Sequence, residues 1–322
     1  MMNWRKKYGM ETEPKGKPFS SPIFIIGCMR SGTTFLVDTL CRHPQLLRVG
    51  NELRSVWTEI GNAPCEGVDC AYRGREDLNS ESITNMTSYF QKFVDDAKSM
   101  KRHLMRAKTK FKEGGGSIRY DWENIIPVNK STHLLNKIEY LHAMFPRSKF
   151  IFIVRSMESQ SASLKMHVLK DFENNKRYLY APTDSKSSWS QLQKSEWLDS
   201  MINNRAFPEN FCLIPEMWIR LNFLALQALS NIPKKQYHIV RYEQLVTNQE
   251  TSLNRIFSFL ELMDKYKLKS ELISKSNLKV INTTTKGNPL EKWKKHLDQK
   301  EISQIAAAKE SFAKEYDFIL EK

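Results

Sequence analysis

A chain of 322 residues that is 40% hydrophobic and 27% charged can bury a substantial core, which excludes a disordered polyelectrolyte and a disulfide-stapled miniprotein. Its formal net charge of +14 calls for an anionic partner: nucleic acid, an acidic surface or a phosphorylated small molecule. The five cysteines, Cys28, Cys41, Cys65, Cys70 and Cys212, are too few for a disulfide framework and read as thiols of a reducing compartment, and no apolar run reaches membrane-spanning length.

Residues 1–20 form a polar tail in which Pro14, Gly16 and Pro18 mark loop. The start, Met1 to Lys7, lacks the apolar stretch of a secretory leader, so a cytoplasmic protein is expected. Ile23 to Ile26 is a short apolar run suited to a buried parallel strand, and Thr33 to Cys41 reads as the helix after it. Between them lies Gly27-Cys28-Met29-Arg30-Ser31-Gly32. Four residues separate the two glycines, as in the G-x4-G-K-[ST] loop of nucleotide enzymes, but Thr33 stands where that loop has its lysine. The physics of the loop survives. Glycines let the backbone approach an anion, and the first helical turn directs free N–H groups and the positive end of its dipole at it. What is missing is the ammonium that reaches a terminal phosphate; Arg30 brings positive charge earlier in the loop.

His43-Pro44 then breaks the chain, and Leu46 to Val49 is a second strand candidate. Residues 61–118 are irregular apart from a helix expected around Met86 to Met105. Cys65 and Cys70 have the spacing of a local disulfide or half a metal site, but no second Cys/His pair stands at zinc-site distance. Ile125 to Val128 is a strand, Leu134 to Phe145 an amphipathic helix, and Phe150 to Val154 the most apolar strand of the chain. Together they are expected to make a right-handed crossover unit. Arg155 ends that strand where a magnesium-dependent enzyme often carries aspartate, so no metal is expected. At the carboxyl edge of a parallel sheet this arginine is placed to hold a second phosphate. A helix from Glu158 to Leu169, an irregular insertion over 171–215, a helix from Glu216 to Leu229, a strand from Tyr237 to Arg241, and helices at Thr251 to Leu260 and Glu301 to Lys314 complete the reading. The fold class is α/β: a P-loop-like parallel sheet flanked by helices, one domain over 21–322 with mainly helical insertions at 62–124 and 169–215.

The loop Arg30-Ser31-Gly32-Thr33-Thr34, Arg155 at a strand end and Ser163 eight residues on resemble sulfotransferases that use 3′-phosphoadenosine 5′-phosphosulfate (PAPS). The closest likeness is to the tyrosylprotein type. Gly50-Asn51-Glu52-Leu53-Arg54 resembles its Gly-Glu-Glu-Thr-Arg segment, Asn129-Lys130 its Asn-Lys, Tyr242-Glu243-Gln244-Leu245-Val246 its Tyr-Glu-Gln-Leu-Val, and the stretch from Thr283 to Trp293 the loop that folds over the nucleotide. The resemblance implies that Arg30, Ser31, Gly32, Thr33 and Thr34 cradle the phosphosulfate, and that Arg155 and Ser163 hold the 3′-phosphate. It further implies that Tyr242, Lys286 and Lys292 contact the nucleotide, that Glu52 is the base with Arg30 and Lys130 stabilising the leaving group, and that Arg54 meets the acceptor. PAP is the expected product.

This chain departs from that type at Val49 and Val128, which stand where secretory members have cysteines, and at His167, where an arginine is expected. The insertions 62–124 and 169–215, which would line the acceptor site, do not match. The expected acceptor is therefore a small metabolite or natural product carrying a hydroxyl or amine, with sulfation of a protein tyrosine or glycan, or a kinase-like phosphoryl transfer, as alternatives. Neither nucleic acid nor membrane is an expected partner, and a homodimer is compatible with the sequence. Histidines compete for the base role, His43, His103, His133, His142 and His167 among them, because imidazole is the commonest general base.

Overall fold

Five parallel strands run side by side in the order β2-β3-β1-β4-β5 in a computed structural model that describes residues 21–64, 72–99, 120–173, 211–262 and 287–321. The strands are β1 (Ile23–Ile26), β2 (Leu46–Arg48), β3 (Ile126–Lys130), β4 (Lys149–Val154) and β5 (Tyr237–Arg241). β1 and β4 are buried on both faces, which is why they read as continuous apolar runs rather than as an alternation.

Each face has its own core. Phe24, Ile26, Phe150 and Phe152 point into one layer with Trp57, Phe90, Leu141, Phe145 and Trp218. Phe24 stacks on Phe150 at 5.5 Å and lies 6.0 Å from both Trp57 and Phe145. Ile23, Ile25, Ile151, Ile153 and Val240 point the other way, onto Phe35, Leu36 and Leu40 of α1 (Thr33–Leu40) and onto Leu253 and Ile256 of a later helix. Burying one such aromatic or aliphatic side chain contributes about 1.5–3 kcal/mol.

Among the described residues the remaining helices are α2 (Arg54–Glu59), α3 (Ser80–Ser99), α4 (Ile138–Met144), α5 (Met157–Glu173), α6 (Leu213–Ser230), α7 (Tyr242–Thr247), α8 (Gln249–Leu260), α9 (Gln299–Ser311) and α10 (Ala313–Glu321). Several differ from the sequence expectation. α3 starts six residues early because Asn79 caps it, its Oδ1 accepting from the Ser82 amide at 2.8 Å. The helix expected over Leu134 to Phe145 is split: a 3-10 turn covers Thr132–Leu134, and the Lys137 ammonium ties back to the His133 carbonyl (3.1 Å) before α4 begins. The last expected helix breaks at Phe312 into α9 and α10. β3 and β4 do follow one another through a helix, but they flank β1 rather than pair, so the crossover spans the central strand.

All five strands point the same way, so their carboxyl ends share one edge. The turn carrying Glu52 follows β2, Lys130 closes β3, the glycine loop follows β1, Arg155 follows β4, and Tyr242 follows β5.

Candidate active site

The loop after β1 is shaped by close approach. A Cβ at Gly27 would stand 2.4 Å from the Ile153 carbonyl of β4, and one at Gly32 (φ 96°) would stand 2.6 Å from the Tyr242 ring. Only glycine fits both places. Arg30 also takes a left-handed backbone (φ 68°), a conformation that costs a non-glycine residue about 1–2 kcal/mol. α1 starts at Gly32 with no side chain capping it, so its first-turn N–H groups are left for an anion. The Ser31 hydroxyl is buried beside them without a hydrogen-bond partner among the described residues. Thr33, at the position of the missing lysine, is buried, whereas Thr34 is exposed.

Two cations from separate elements, Arg155 and Lys292, join Arg30 of the loop itself. Arg155 is 5% exposed; its Nη1 donates to the Arg30 carbonyl (3.0 Å) and its Nη2 to the Pro289 carbonyl (3.0 Å), while Nε has no hydrogen-bond partner among the described residues. Its guanidinium lies 4.4 Å from the Tyr242 ring centroid, and its own carbonyl accepts from Trp218 Nε1 (3.0 Å). Arg30 Nε donates to Ser163 Oγ at 3.4 Å. Lys292 is held down to about 8 by burial, then by the positive charges of Arg155 and Arg30. Burial is the larger cause, and the two like charges nearby add to it.

Ser163 therefore meets Arg30 rather than Arg155, and the two arginines are joined through the Arg30 carbonyl. Tyr242 is 1% exposed, with its ring between Gly32 and Arg155, so it supports the loop from beneath. Lys286 lies outside the described residues, as do Cys65, Cys70 and His103; Trp293 packs against the core.

On the other side of β1 the edge carries an acid. Lys130 Nζ donates to Glu52 Oε1 at 2.5 Å, and Glu52 Oε2 accepts from Thr132 Oγ1 at 3.0 Å. His133 Nε2 stands 3.3 Å and Arg54 Nη2 3.6 Å from that same oxygen. Burial raises the Glu52 pKa, but Lys130, His133 and Arg54 overcome it and bring the carboxyl down to about 2. Glu52 is thus ionised at neutral pH, and its side chain is 19% exposed, enough for an incoming group to reach it. Lys130 stands next to the loop because β3 pairs with β1, Ile25 facing Lys130 in register and the Ser131 amide donating to the Ile25 carbonyl (3.2 Å).

The structure thus brings together Glu52, Lys130 and Arg54 as one cluster and Arg30, Arg155, Ser163 and Lys292 as another. It adds Thr132 and His133 to the first. His133 was one candidate among several by sequence; only the 3-10 turn after β3 singles it out. His43 is pushed down to about 4, burial being the cause, and its Nδ1 accepts from the Gln45 amide, a structural role. His142 pairs with Gln236. Asn129, noted in the sequence only as the neighbour of Lys130, has a role of its own: its Nδ2 donates to the Val49 (3.3 Å) and Asn51 (3.2 Å) carbonyls, its Oδ1 accepts from Trp57 Nε1 (3.2 Å), and the Glu52 turn is held in place by these bonds. Among the described residues no group of three or more His, Cys, Asp or Glu gathers as metal ligands would, and no helix is long and apolar enough to cross a membrane.

A family model described as the sulfotransferase family matches residues 22–265. Solved structures similar to this chain include the sulfotransferase domain from the curacin biosynthetic pathway, with 16% identity, 92% of this chain and 99% of that one covered, and a TM-score of 0.47. The sulfotransferase domain of the Synechococcus PCC 7002 olefin synthase gives 17%, 92%, 97% and 0.43, and mouse sulfotransferase SULT7A1 complexed with PAP gives 13%, 94%, 88% and 0.44. No curated protein sequence matches the chain.

Proposed function

The chain belongs to the sulfotransferase family, and from that premise we propose that it moves a sulfuryl group from PAPS to a hydroxyl or amine of a small metabolite or natural product. The observation that carries this reading is the order of groups along one sheet edge. Glu52 with Lys130, then the glycine loop with Arg30, then Arg155 with Lys292 follow the strand order β2-β3-β1-β4. That sequence of charges suits an acceptor, a phosphosulfate and a 3′-phosphate laid end to end.

The residues present fit the nucleotide on their own chemistry. An uncapped helix start, together with the Ser31 hydroxyl and the Arg155 Nε, both buried and without a hydrogen-bond partner among the described residues, are donors at this loop that an anion would satisfy, and Lys292 adds a cation beside Arg155 and Arg30. In the reaction the acceptor oxygen or nitrogen attacks sulfur, the bond from sulfur to the bridging phosphate oxygen breaks, and PAP leaves. Glu52 takes the acceptor proton; Arg30 and Lys130 neutralise the charge that builds on the bridging oxygen. Lys130 Nζ lies 2.5 Å from Glu52 Oε1, and the carboxylate gains basicity as Lys130 turns toward the donor. Glu52 is given the proton rather than His133 because the histidine is only 1% exposed and reaches the site through the Glu52 carboxylate.

The small-molecule acceptor is supported by Val49 and Val128. Both are fully buried where secretory tyrosylprotein members carry cysteines, which removes one mark of a protein that modifies secreted peptides. The test is titration with PAP and with ATP plus magnesium, followed by incubation with PAPS and a metabolite extract and a mass search for sulfated products. Tight PAP binding without metal and a new sulfated product support the reading. Binding of magnesium ATP but not PAP would replace it with a kinase-like phosphoryl transfer.

A further inference from the structure

The turn that presents Glu52 is held by a residue that touches no reacting group. Arg48 ends β2, and its guanidinium makes three contacts at once: Nη1 pairs with Asp38, Nε donates to the Gly50 carbonyl (3.0 Å), and Nη2 donates to Asn51 Oδ1 (2.6 Å). Glu52 is the next residue. Gly50 (φ 59°) takes the left-handed conformation freely, whereas the backbone beside Glu52 is strained at Leu53 (φ 53°), a branched residue in that conformation. Such a conformation persists only where the surroundings over-determine it. Asn129 supplies one clamp from β3 and Arg48 supplies another from β2.

Asp38 gives the second clamp its direction. It lies on α1, the eight-residue helix whose first turn closes the glycine loop, and its carboxylate sits in the field of Lys130 and Arg42 as well as Arg48. A guanidinium is the only side chain whose planar fork reaches a carboxylate, a carbonyl and an amide oxygen together; lysine offers a single point charge. The helix that faces the donor and the turn that carries the base are therefore tied by one side chain.

We propose that the Asp38–Arg48 pair is a positioning brace that fixes Glu52 relative to the donor loop, so that it governs the rate of transfer and not the affinity for donor. The proposal rests on the reading of Glu52 as the base. A misplacement of about 1 Å at a reacting group costs on the order of 100-fold in rate.

The test compares Arg48→Gln and Arg48→Lys in the native and the Glu52→Gln backgrounds. It follows PAP released from PAPS above the rate without metabolite extract, with PAP affinity measured by calorimetry. In the native background Arg48→Gln should lower the rate about 10- to 100-fold, leave PAP affinity within about twofold, and be partly rescued by Arg48→Lys. In the Glu52→Gln background it should add less than about twofold, because residues that act as a unit are not additive. Equal losses in both backgrounds, an unchanged rate, or a matching loss of PAP affinity would overturn the brace while leaving Glu52 as base. Full activity of Glu52→Gln would instead remove the base reading, and the brace with it. If Arg48→Gln does not fold, Asp38→Asn carries the same comparison, since it spares both bonds to the turn. Where turnover is too slow to measure, the cycle is read in thermal unfolding: non-additive losses support the brace and additive ones refute it.

Discussion

Raising the pH should weaken PAP binding through Lys292. In the free protein this ammonium titrates at about 8, held down by burial and by Arg155 and Arg30. A bound phosphate would neutralise those neighbours and return the lysine toward its ordinary range near 10.5. A group whose pKa rises on binding contributes its full share to affinity below the free-state value, and that share is lost as pH climbs through it. At pH 9 only about a tenth of Lys292 is charged in the free protein, so affinity should fall about tenfold between pH 7 and 9. The two arginines remain charged, and burial, then Lys292, Lys165 and Lys295, push His296 further below this interval. The phosphates are already dianionic above their second pKa of about 6. Calorimetry at several pH values measures both the affinity and the proton taken up. Lys292→Met should bind weakly at pH 7 and show no slope. A flat profile for the native protein, or an unchanged slope in Lys292→Met, would refute the placement of Lys292 at the nucleotide.

Further expectations can be checked alongside. Arg155→Ala should weaken PAP binding on the order of 100-fold, the cost of a buried charge-assisted contact of about 2–3 kcal/mol, with Arg155→Lys recovering little because it cannot span the Arg30 and Pro289 carbonyls; calorimetry decides. Asn129→Ala leaves Trp57 Nε1 unsatisfied in the core and should cost about 1–3 kcal/mol in denaturant unfolding, with a loss of activity as the Glu52 turn loosens. Glu52 is lowered from the ordinary 4.5 to about 2, so its ionised form stabilises the fold above pH 4.5 and that contribution disappears as pH falls toward 2. Acid unfolding of Glu52→Gln should accordingly be shallower than that of the native protein, as followed by circular dichroism.

The central strands were legible because both of their faces are buried: Ile23 to Ile26 and Phe150 to Val154 carry no polar residue to interrupt the run. The glycine loop was equally plain, since its spacing reflects contacts that only glycine permits. Two short helical elements were not, although the three-residue strand β2 was. α7 begins directly at Tyr242, where β5 ends, with no capping side chain to announce it, and the 3-10 turn of Thr132–Leu134 is set by the Ser131 hydroxyl and by Lys137 folding back on it. That turn is what delivers Thr132 and His133 to Glu52, so their part in the site depends on tertiary contacts between β2 and β3. A signal existed for two helix starts, the Asn79 cap and the Asp298–Glu301 capping box, and both lie in plain view in the sequence. The Arg48 brace had no such signal: its three acceptors meet only when α1 packs beside β2.

The most direct measurement follows sulfuryl transfer from PAPS into a metabolite extract with the native protein and with Glu52→Gln, scoring sulfated product and PAP together. The account predicts one PAP for each sulfated molecule from the native protein, and from Glu52→Gln a rate lower by about 100-fold or more with PAP affinity intact. Equal product from both proteins would contradict it.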